Sequence, residues 1–505
     1  MPKTIRVGLL LILAALRGKC EEQEAAPERP PNIVFMLADD LGSADLGCFG
    51  QRKIRTPNLD RLATEGMRFT QHYAGSAVCA PSRCVLLTGL HPGHSWIRNN
   101  KEVRPEGQPP LRDDAVTLAE ILRDRGYATG AFGKWGLGYP ESEGDPQRQG
   151  FGRFFGYNCQ RHAHNHFPSY LWEDGCRLEI ENPPFEAHQE LPTTVDPCLE
   201  ASYGAYVGRE YAPDRIAQEA LGFIRENRSR PFFLYFATTV PHLGLQVPED
   251  SLAEYRGLWP DPPYAGENSY LPHFAPRAAY AAMVTRLDRD VGRIVSFVDE
   301  LGLGERTIFI FTSDNGPLFD RLGGSDSDFF ESAGPLRGRK GSLYEGGIRV
   351  PLIVRWKGRI AAASISERVT GFEDWLPTLL DLIDAPSAVP SGIDGISFAP
   401  TLLGETQEPR PFLYREFAGY GGFQSARIGD WKGIRTNLAP KAGEKPSPPR
   451  TELYDLKEDP SERRDVAADH PEIVARIERL MAEQHAPSRL FPLPRIDPKP
   501  DSTEQ

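Results

Sequence analysis

The sequence predicts an α/β fold: a large central, mostly parallel sheet flanked by helices, followed by a smaller C-terminal α+β subdomain with an antiparallel sheet. Three observations carry this. Short apolar runs recur through the first 395 residues. Helix-period segments lie between them. After about residue 395 the pattern changes to short alternating strands and one closing helix.

Residues 1–20, "MPKTIRVGLLLILAALRGKC", read as a signal peptide. Lys3 and Arg6 form a basic start, and residues 7–16 form an apolar core too short to span a bilayer. The protein is therefore expected to be exported: periplasmic, secreted or, through Cys20, lipid-anchored, although Lys19 suits lipid attachment poorly. No later segment reaches the length of a stable membrane span. Residues 21–30, "EEQEAAPERP", read as a polar linker.

The first large unit covers residues 31–395. Its buried strands are expected at 32–40, 127–135, 231–240, 307–316 and 350–356, all continuous apolar runs of the parallel-sheet kind. Helices are expected between them. One starts at Thr56 and Pro57 and stops at Gly66. One ends at Gly126, and two more cover 214–227 and 277–302. The subdomain covers 396–487. Its strands lie in "PFLYREF", "SARIGDWKGIRT" and "TELYDL", and its helix carries Ile473, Val474, Ile477, Leu480 and Met481 on one face. A Pro-rich tail, 488–505, is expected to drape or fray.

Composition narrows the function. There are 58 Lys and Arg against 70 Asp and Glu, a net charge of −12, which argues against nucleic acid as a partner. Of the seven cysteines, six follow the leader and none forms a zinc-type C-x-x-C pair. Export permits disulfides, and Cys159, Cys176 and Cys198 are close enough for a loop staple.

In an open α/β sheet ligands bind beyond the carboxyl ends of the strands. Three such ends carry polar groups: Asp39-Asp40, Asp314-Asn315 and Lys134. The four Asp and Asn side chains make an all-oxygen set suited to one hard divalent cation, Ca²⁺ first and Mg²⁺ second. Carboxylates converging at one edge need such a cation. Separately, "SAVCAPSRCVLLTG" sets Cys79 two residues before Pro81 and four before Arg83, at the head of a helix-like run.

The pattern C-x-P-x-R resembles the signature of the type I, formylglycine-dependent sulfatases of the alkaline-phosphatase superfamily. "PNIVFMLADDLG", "TSDNG", "GKWGLG", "TTVPHLGLQVP", "LRGRKGSLYEGGIRVP" and "LYDLKEDPSERRDVA" resemble that family's other segments, in order, over about residues 30–485. The resemblance makes 31–395 the catalytic domain and implies an alkaline-phosphatase-like fold. It implies a sulfatase acting on a sulfated carbohydrate or an aryl sulfate. It also implies a maturation partner, the enzyme that oxidises Cys79 to formylglycine. The metal set would be Asp39, Asp40, Cys79, Asp314 and Asn315. The catalytic set would be Cys79, Arg83, Lys134, His242 and Lys340, with the hydrated formylglycine as nucleophile, the cations on the sulfate oxygens, and His242 and Lys340 protonating the leaving alcohol.

The chain departs from the pattern at Gly136, where many members have a histidine. The tract "NCQRHAHNHFPSYLW" supplies His162, His164 and His166, alternating as on one strand face, and one of them, His164 by preference, is expected in the missing role. The competing reading of such a tract is a zinc site. His94, Arg98 and Asn99 are expected on the rim as substrate contacts, with Trp96 and Gln424 as further candidates. Two alternatives stand beside the sulfatase reading. One is a formylglycine-dependent phosphodiesterase or phosphonate hydrolase. The other is a silent glycan-binding relative, favoured only by Gly136.

Overall fold

The structure is a computed structural model that describes residues 29–319, 321–440 and 447–498. The signal peptide, Cys20, the linker as far as residue 28 and the last residues of the tail lie outside the described residues. Among those described, no helix is long and apolar enough to cross a membrane.

Eleven strands form the large sheet. In chain order they are β1 Asn32–Ala38, β2 Met67–Tyr73, β3 Ala128–Lys134, β4 Arg153–Tyr157, β5 Tyr170–Glu173, β6 Cys176–Glu179, β7 Phe232–Ala237, β8 Thr307–Ser313, β9 Arg349–Arg355, β10 Ser364–Ser366 and β11 Thr370–Gly371. Their order is β10-β2-β9-β8-β1-β7-β3-β4-β5-β6, with β11 beside β2. The block β8-β1-β7-β3-β4 is wholly parallel. Alternation along β1 shows why its run is continuously apolar. Val34, Met36 and Ala38 enter one core, whereas Ile33, Phe35 and Leu37 enter the other. Helices Pro57–Thr64, Ala212–Asn227 and Pro276–Glu300 cover the first face. Helices Cys79–Thr88, Leu118–Asp124 and Trp375–Leu382 cover the second.

Local signals account for several boundaries. Pro57 stands at the first position of its helix. The helix Leu118–Asp124 opens on a capping box between Thr117 and Glu120. It is followed by Gly126 at φ 82°, a left-handed turn that suits glycine.

Four expectations are corrected. The run 350–356 is a strand, but β9 lies antiparallel to both β2 and β8. Burial on both faces yields the same apolar run in either direction. The histidine tract is a 3₁₀ turn, His162–His164, so its three rings share no face. Cys159, Cys176 and Cys198 are free, as are all cysteines among the described residues. The tail does not fray where it is described, because Phe491 and Leu493 are buried.

The second sheet is antiparallel, with β12 Leu413–Phe417, β13 Phe423–Ile428, β14 Trp431–Thr436 and β15 Arg450–Asp455 in that order. The helix Pro471–Glu483 packs Ile477 and Met481 against Tyr414, Ala426 and Leu453. Buried ion pairs tie this layer to the large one. Arg415 forks onto both oxygens of Glu373 at 3.0 and 2.9 Å and donates to the Ala74 carbonyl at 2.7 Å. Burial favours the neutral acid, but Arg415 and Arg410 outweigh it and hold the Glu373 carboxyl down to about 2. Removing one partner of such a pair leaves a charge stranded in the interior. Arg415→Met should therefore lower stability by roughly 3–5 kcal/mol, read as a reduced urea midpoint with the slope unchanged.

Candidate active site

The parallel block brings the three polar strand ends to one edge. β8 delivers Asp314 and Asn315, β1 delivers Asp39 and Asp40, and β3 delivers Lys134. β7, lying between β1 and β3, leads into His242. Asp40 takes φ 66°, which turns the chain sharply after the strand. Its N–H donates to Asp314 Oδ1 at 3.2 Å, and Asn315 Nδ2 donates to Asp40 Oδ1 at 2.7 Å.

Cys79 arrives from the opposite side, as the first residue of the helix Cys79–Thr88, every residue of which is buried. Asn100 Oδ1 accepts from the Ala80 N–H at 3.0 Å and caps one of the free amides. The helix end favours an anion. Cys79 Sγ lies 3.3 Å from Asp39 Oδ1, 3.4 Å from Lys134 Nζ and 3.5 Å from Lys340 Nζ. Arg83, one turn on, shares the face of Cys79 and binds Asp314 Oδ2 through Nε at 3.1 Å and a terminal nitrogen at 2.8 Å. Lys340 comes from a loop pinned at both sides. Its N–H donates to the Pro317 carbonyl and the Gly341 N–H to the Ala77 carbonyl, each at 2.8 Å.

Charges are paired throughout. Lys134 Nζ meets Asp39 Oδ2 at 2.6 Å, and Lys340 Nζ meets Asp40 Oδ2 at 2.8 Å. Burial alone would strip both lysines of their protons, but Asp39 and Asp40 respectively reverse this and hold the ammonium groups charged. Asp39 stays ionised despite burial because of Lys134, His242 and Arg83. Burial, with Asp39 beside it, pushes the Asp314 carboxyl up to about 6. Burial and the Asp39 charge hold the Cys79 thiol protonated. Burial and Lys340 bring His242 down to about 4, and its Nδ1 is held by the Leu243 carbonyl at 2.5 Å.

The donor set fits a hard cation. Asp39, Asp40 and Asp314 present carboxylate oxygens, and the buried Asn315 Oδ1 has no hydrogen-bond partner. Asp39, Asp40, Cys79 and His242 bring ligand atoms within 4.8 Å of one another.

Above this floor lies a cleft of about 430 Å³, lined by Cys79, Lys134, Gln160, His164, His242 and Lys340 among others. Of the tract histidines only His164 lines it. Its ring stacks on His242, centroids 4.6 Å apart, and its Nδ1 meets His188 Nε2 at 2.8 Å. His162 lies instead between Glu106, at 3.4 Å, and the Tyr170 ring. His166 is buried beside Tyr211. The three rings therefore build no shared zinc site. His94 and Arg98 do not line the cleft: His94 pairs with Asp394 at 2.9 Å, and Arg98 is spent on Glu416 at 2.8 Å and on two backbone carbonyls. Trp96 is partly exposed, with Arg112 over its ring. Gln424 is buried in the second sheet and donates to Tyr414 Oη. Asn99 does line the cleft, as do Gly419 and Tyr420 from the second sheet. Sequence reasoning missed Gln160, His188, Tyr270 and Tyr420. They sit in polar loops without periodicity, and only the fold brings them together.

Comparisons with known proteins agree with this geometry. The sulfatase family profile matches residues 31–385, and a profile for the C-terminal part of N-sulphoglucosamine sulphohydrolase matches residues 339–486. The chain is 34% identical to arylsulfatase A of Homo sapiens over 504 residues, covering 94% of this chain and 90% of that one. It is 30% identical to an N-acetylgalactosamine-6-O-sulfatase of Bacteroides thetaiotaomicron, covering 94% and 96%. A solved Bacteroides thetaiotaomicron sulfatase, from work on the metabolism of multiple glycosaminoglycans, superposes with a TM-score of 0.71 at 28% identity, covering 90% of this chain and 99% of that one.

A cation can bind this edge only with Asp314 deprotonated. Its carboxyl titrates near 6 in the metal-free protein. Ca²⁺ affinity measured by calorimetry should therefore hold steady above pH 7 and fall about tenfold per pH unit below 6, with protons released on binding. Asp314→Asn should remove most of that pH dependence.

Proposed function

Because this chain belongs to the sulfatase family, we propose that it hydrolyses the ester of a sulfated saccharide with a formylglycine made from Cys79 and one divalent cation. The observation that carries this reading is the shell around Cys79. Two ammonium groups, at 3.4 and 3.5 Å, converge with a helix N-terminus on one side chain. Such a shell suits an anion with several oxygens.

Asp39, Asp40, Asp314 and Asn315 would hold the cation, with residue 79 beside them. Carboxylates and an amide from separate strand ends favour Ca²⁺, which accepts an irregular oxygen shell, over Mg²⁺. The cation would supply Lewis acidity and the formylglycine a hydrated aldehyde whose hydroxyl attacks sulfur. Arg83 orients Asp314 and, at 3.6 Å, Asp39. Lys134 and Lys340 neutralise the sulfate oxygens. Lys340, held charged, gives its proton to the departing alcohol. His242 is neutral, and with Nδ1 on the Leu243 carbonyl its Nε2 can accept the proton that returns. His164 steadies the His242 ring by stacking and, as a neutral base in the cleft, takes the role that Gly136 cannot fill.

A saccharide is favoured over a small aryl sulfate because the cleft has a neighbour. A second cavity of about 500 Å³ shares Glu102 and Arg161 with it and is lined by Tyr170 and Phe185. The relative named N-acetylgalactosamine-6-O-sulfatase points the same way. A formylglycine-generating enzyme acting on segment 79–83 and export through the N-terminal segment complete the proposal.

The test is sulfate release, read by ion chromatography, from protein whose residue 79 is confirmed as formylglycine by peptide mass. The panel holds 4-nitrophenyl sulfate, bis(4-nitrophenyl) phosphate and sulfated mono- and oligosaccharides. Matured protein should release sulfate and Cys79→Ala none. Lys340→Ala should lower kcat by about 10²–10⁴. Turnover of the phosphate diester without sulfate release would instead establish the phosphodiesterase reading.

A further inference from the structure

Gln160 stands in the cleft with Cys79, Lys134 and His164, yet nothing in the protein engages its side chain. It is only 5% exposed, and neither Oε1 nor Nε2 has a hydrogen-bond partner. A carboxamide can make four hydrogen bonds, and burying it with none made carries a desolvation penalty that folding does not recover. A bare buried amide in a cleft is one that waits for a ligand.

The backbone makes room for it. Beyond their ends β3 and β4 run on side by side, the Trp135 N–H donating to the Tyr157 carbonyl at 2.9 Å and the Gly136 N–H to the Asn158 carbonyl at 3.2 Å. This sets Gly136 against the segment that carries Gln160. A Cβ on Gly136 would stand 2.1 Å from Gln160 Nε2, and the backbone there has φ 81°. The amide fills the space that any side chain at 136 would need.

The two ends of the amide define what they bind. Sulfate oxygens only accept, and Lys134 and Lys340 already supply them with donors. Oε1 of Gln160 needs a donor and Nε2 an acceptor. A sugar hydroxyl offers both, and an unsubstituted aryl ring offers neither. We propose that Gln160 is a specificity-determining residue that grips a hydroxyl next to the esterified carbon, so that the enzyme reads the sugar as well as the sulfate. This deepens the sulfatase reading and rests on it.

The experiment compares matured wild type with Gln160→Ala and Gln160→Leu. The probes are 4-nitrophenyl sulfate and three sugars: N-acetylgalactosamine 6-sulfate, galactose 6-sulfate and glucose 6-sulfate. The ratio of kcat/KM on the best sugar to that on the aryl sulfate should fall about ten- to a hundredfold in both variants. The melting temperature should hold or rise, since an unpaired buried amide is removed. An unchanged ratio overturns the proposal, and a lower melting temperature with it would assign Gln160 to packing. Wild type that cleaves the aryl sulfate faster than every sugar also overturns it while leaving the sulfatase reading intact. Wild type that cleaves none of the four defeats both.

Discussion

Three carboxylates and three cationic side chains, all buried, meet at one sheet edge, and the architecture around them serves to keep those charges matched. Asp39, Asp40 and Asp314 face Arg83, Lys134 and Lys340, with separations of 2.6–3.6 Å between partners. Taken singly, none of these groups belongs in the interior. Together they require four parallel strands in a fixed order, a helix pointed end-on at them, and a loop held by backbone hydrogen bonds from Lys340 and Gly341. A shift of one residue in β1 or β8 would turn Asp39 or Asp314 to the wrong face, so the long apolar strands behind the site also act as its register.

The second sheet is more than a lid on the large one. Its strands are clamped from below by Arg415 on Glu373 and from the side by Lys432 between Glu345 and Glu462. From that base the loop between β12 and β13 brings Gly419 and Tyr420 to the cleft, and Tyr420 lies over Gly341, next to the catalytic-side Lys340. Pocket shape therefore depends on two layers whose contacts are mostly ionic and buried.

Much of the site was legible because chemistry-bearing residues directly follow apolar runs. Asp39-Asp40, Lys134 and Asp314-Asn315 each end a strand whose burial is plain from its composition, and in a parallel block those ends must lie together. The direction of β9 was not legible, since a strand buried on both faces reads alike either way. The histidine tract misled because alternation in three residues fits a strand and a tight turn equally. Arg98 and His94 looked available for a ligand, but their partners, Glu416 and Asp394, lie about 300 positions away and leave no local trace. Gln160 carried no signal by itself. Its meaning comes from Gly136, two residues past the end of a neighbouring strand.

β1 sits at the centre of the parallel block, but its partners come late. β7 and β8 are made long after it, and the Asn32–Thr307 pair that joins β1 to β8 spans 275 positions. At about 5–20 residues per second, synthesis leaves that apolar strand without its second neighbour for roughly 15–55 seconds. Throughout that interval NIVFMLA is an unpaired hydrophobic segment able to add to any exposed sheet edge. The arrangement that buries the site most completely thus also makes the nascent chain depend on something to shield its first strand until the last one arrives.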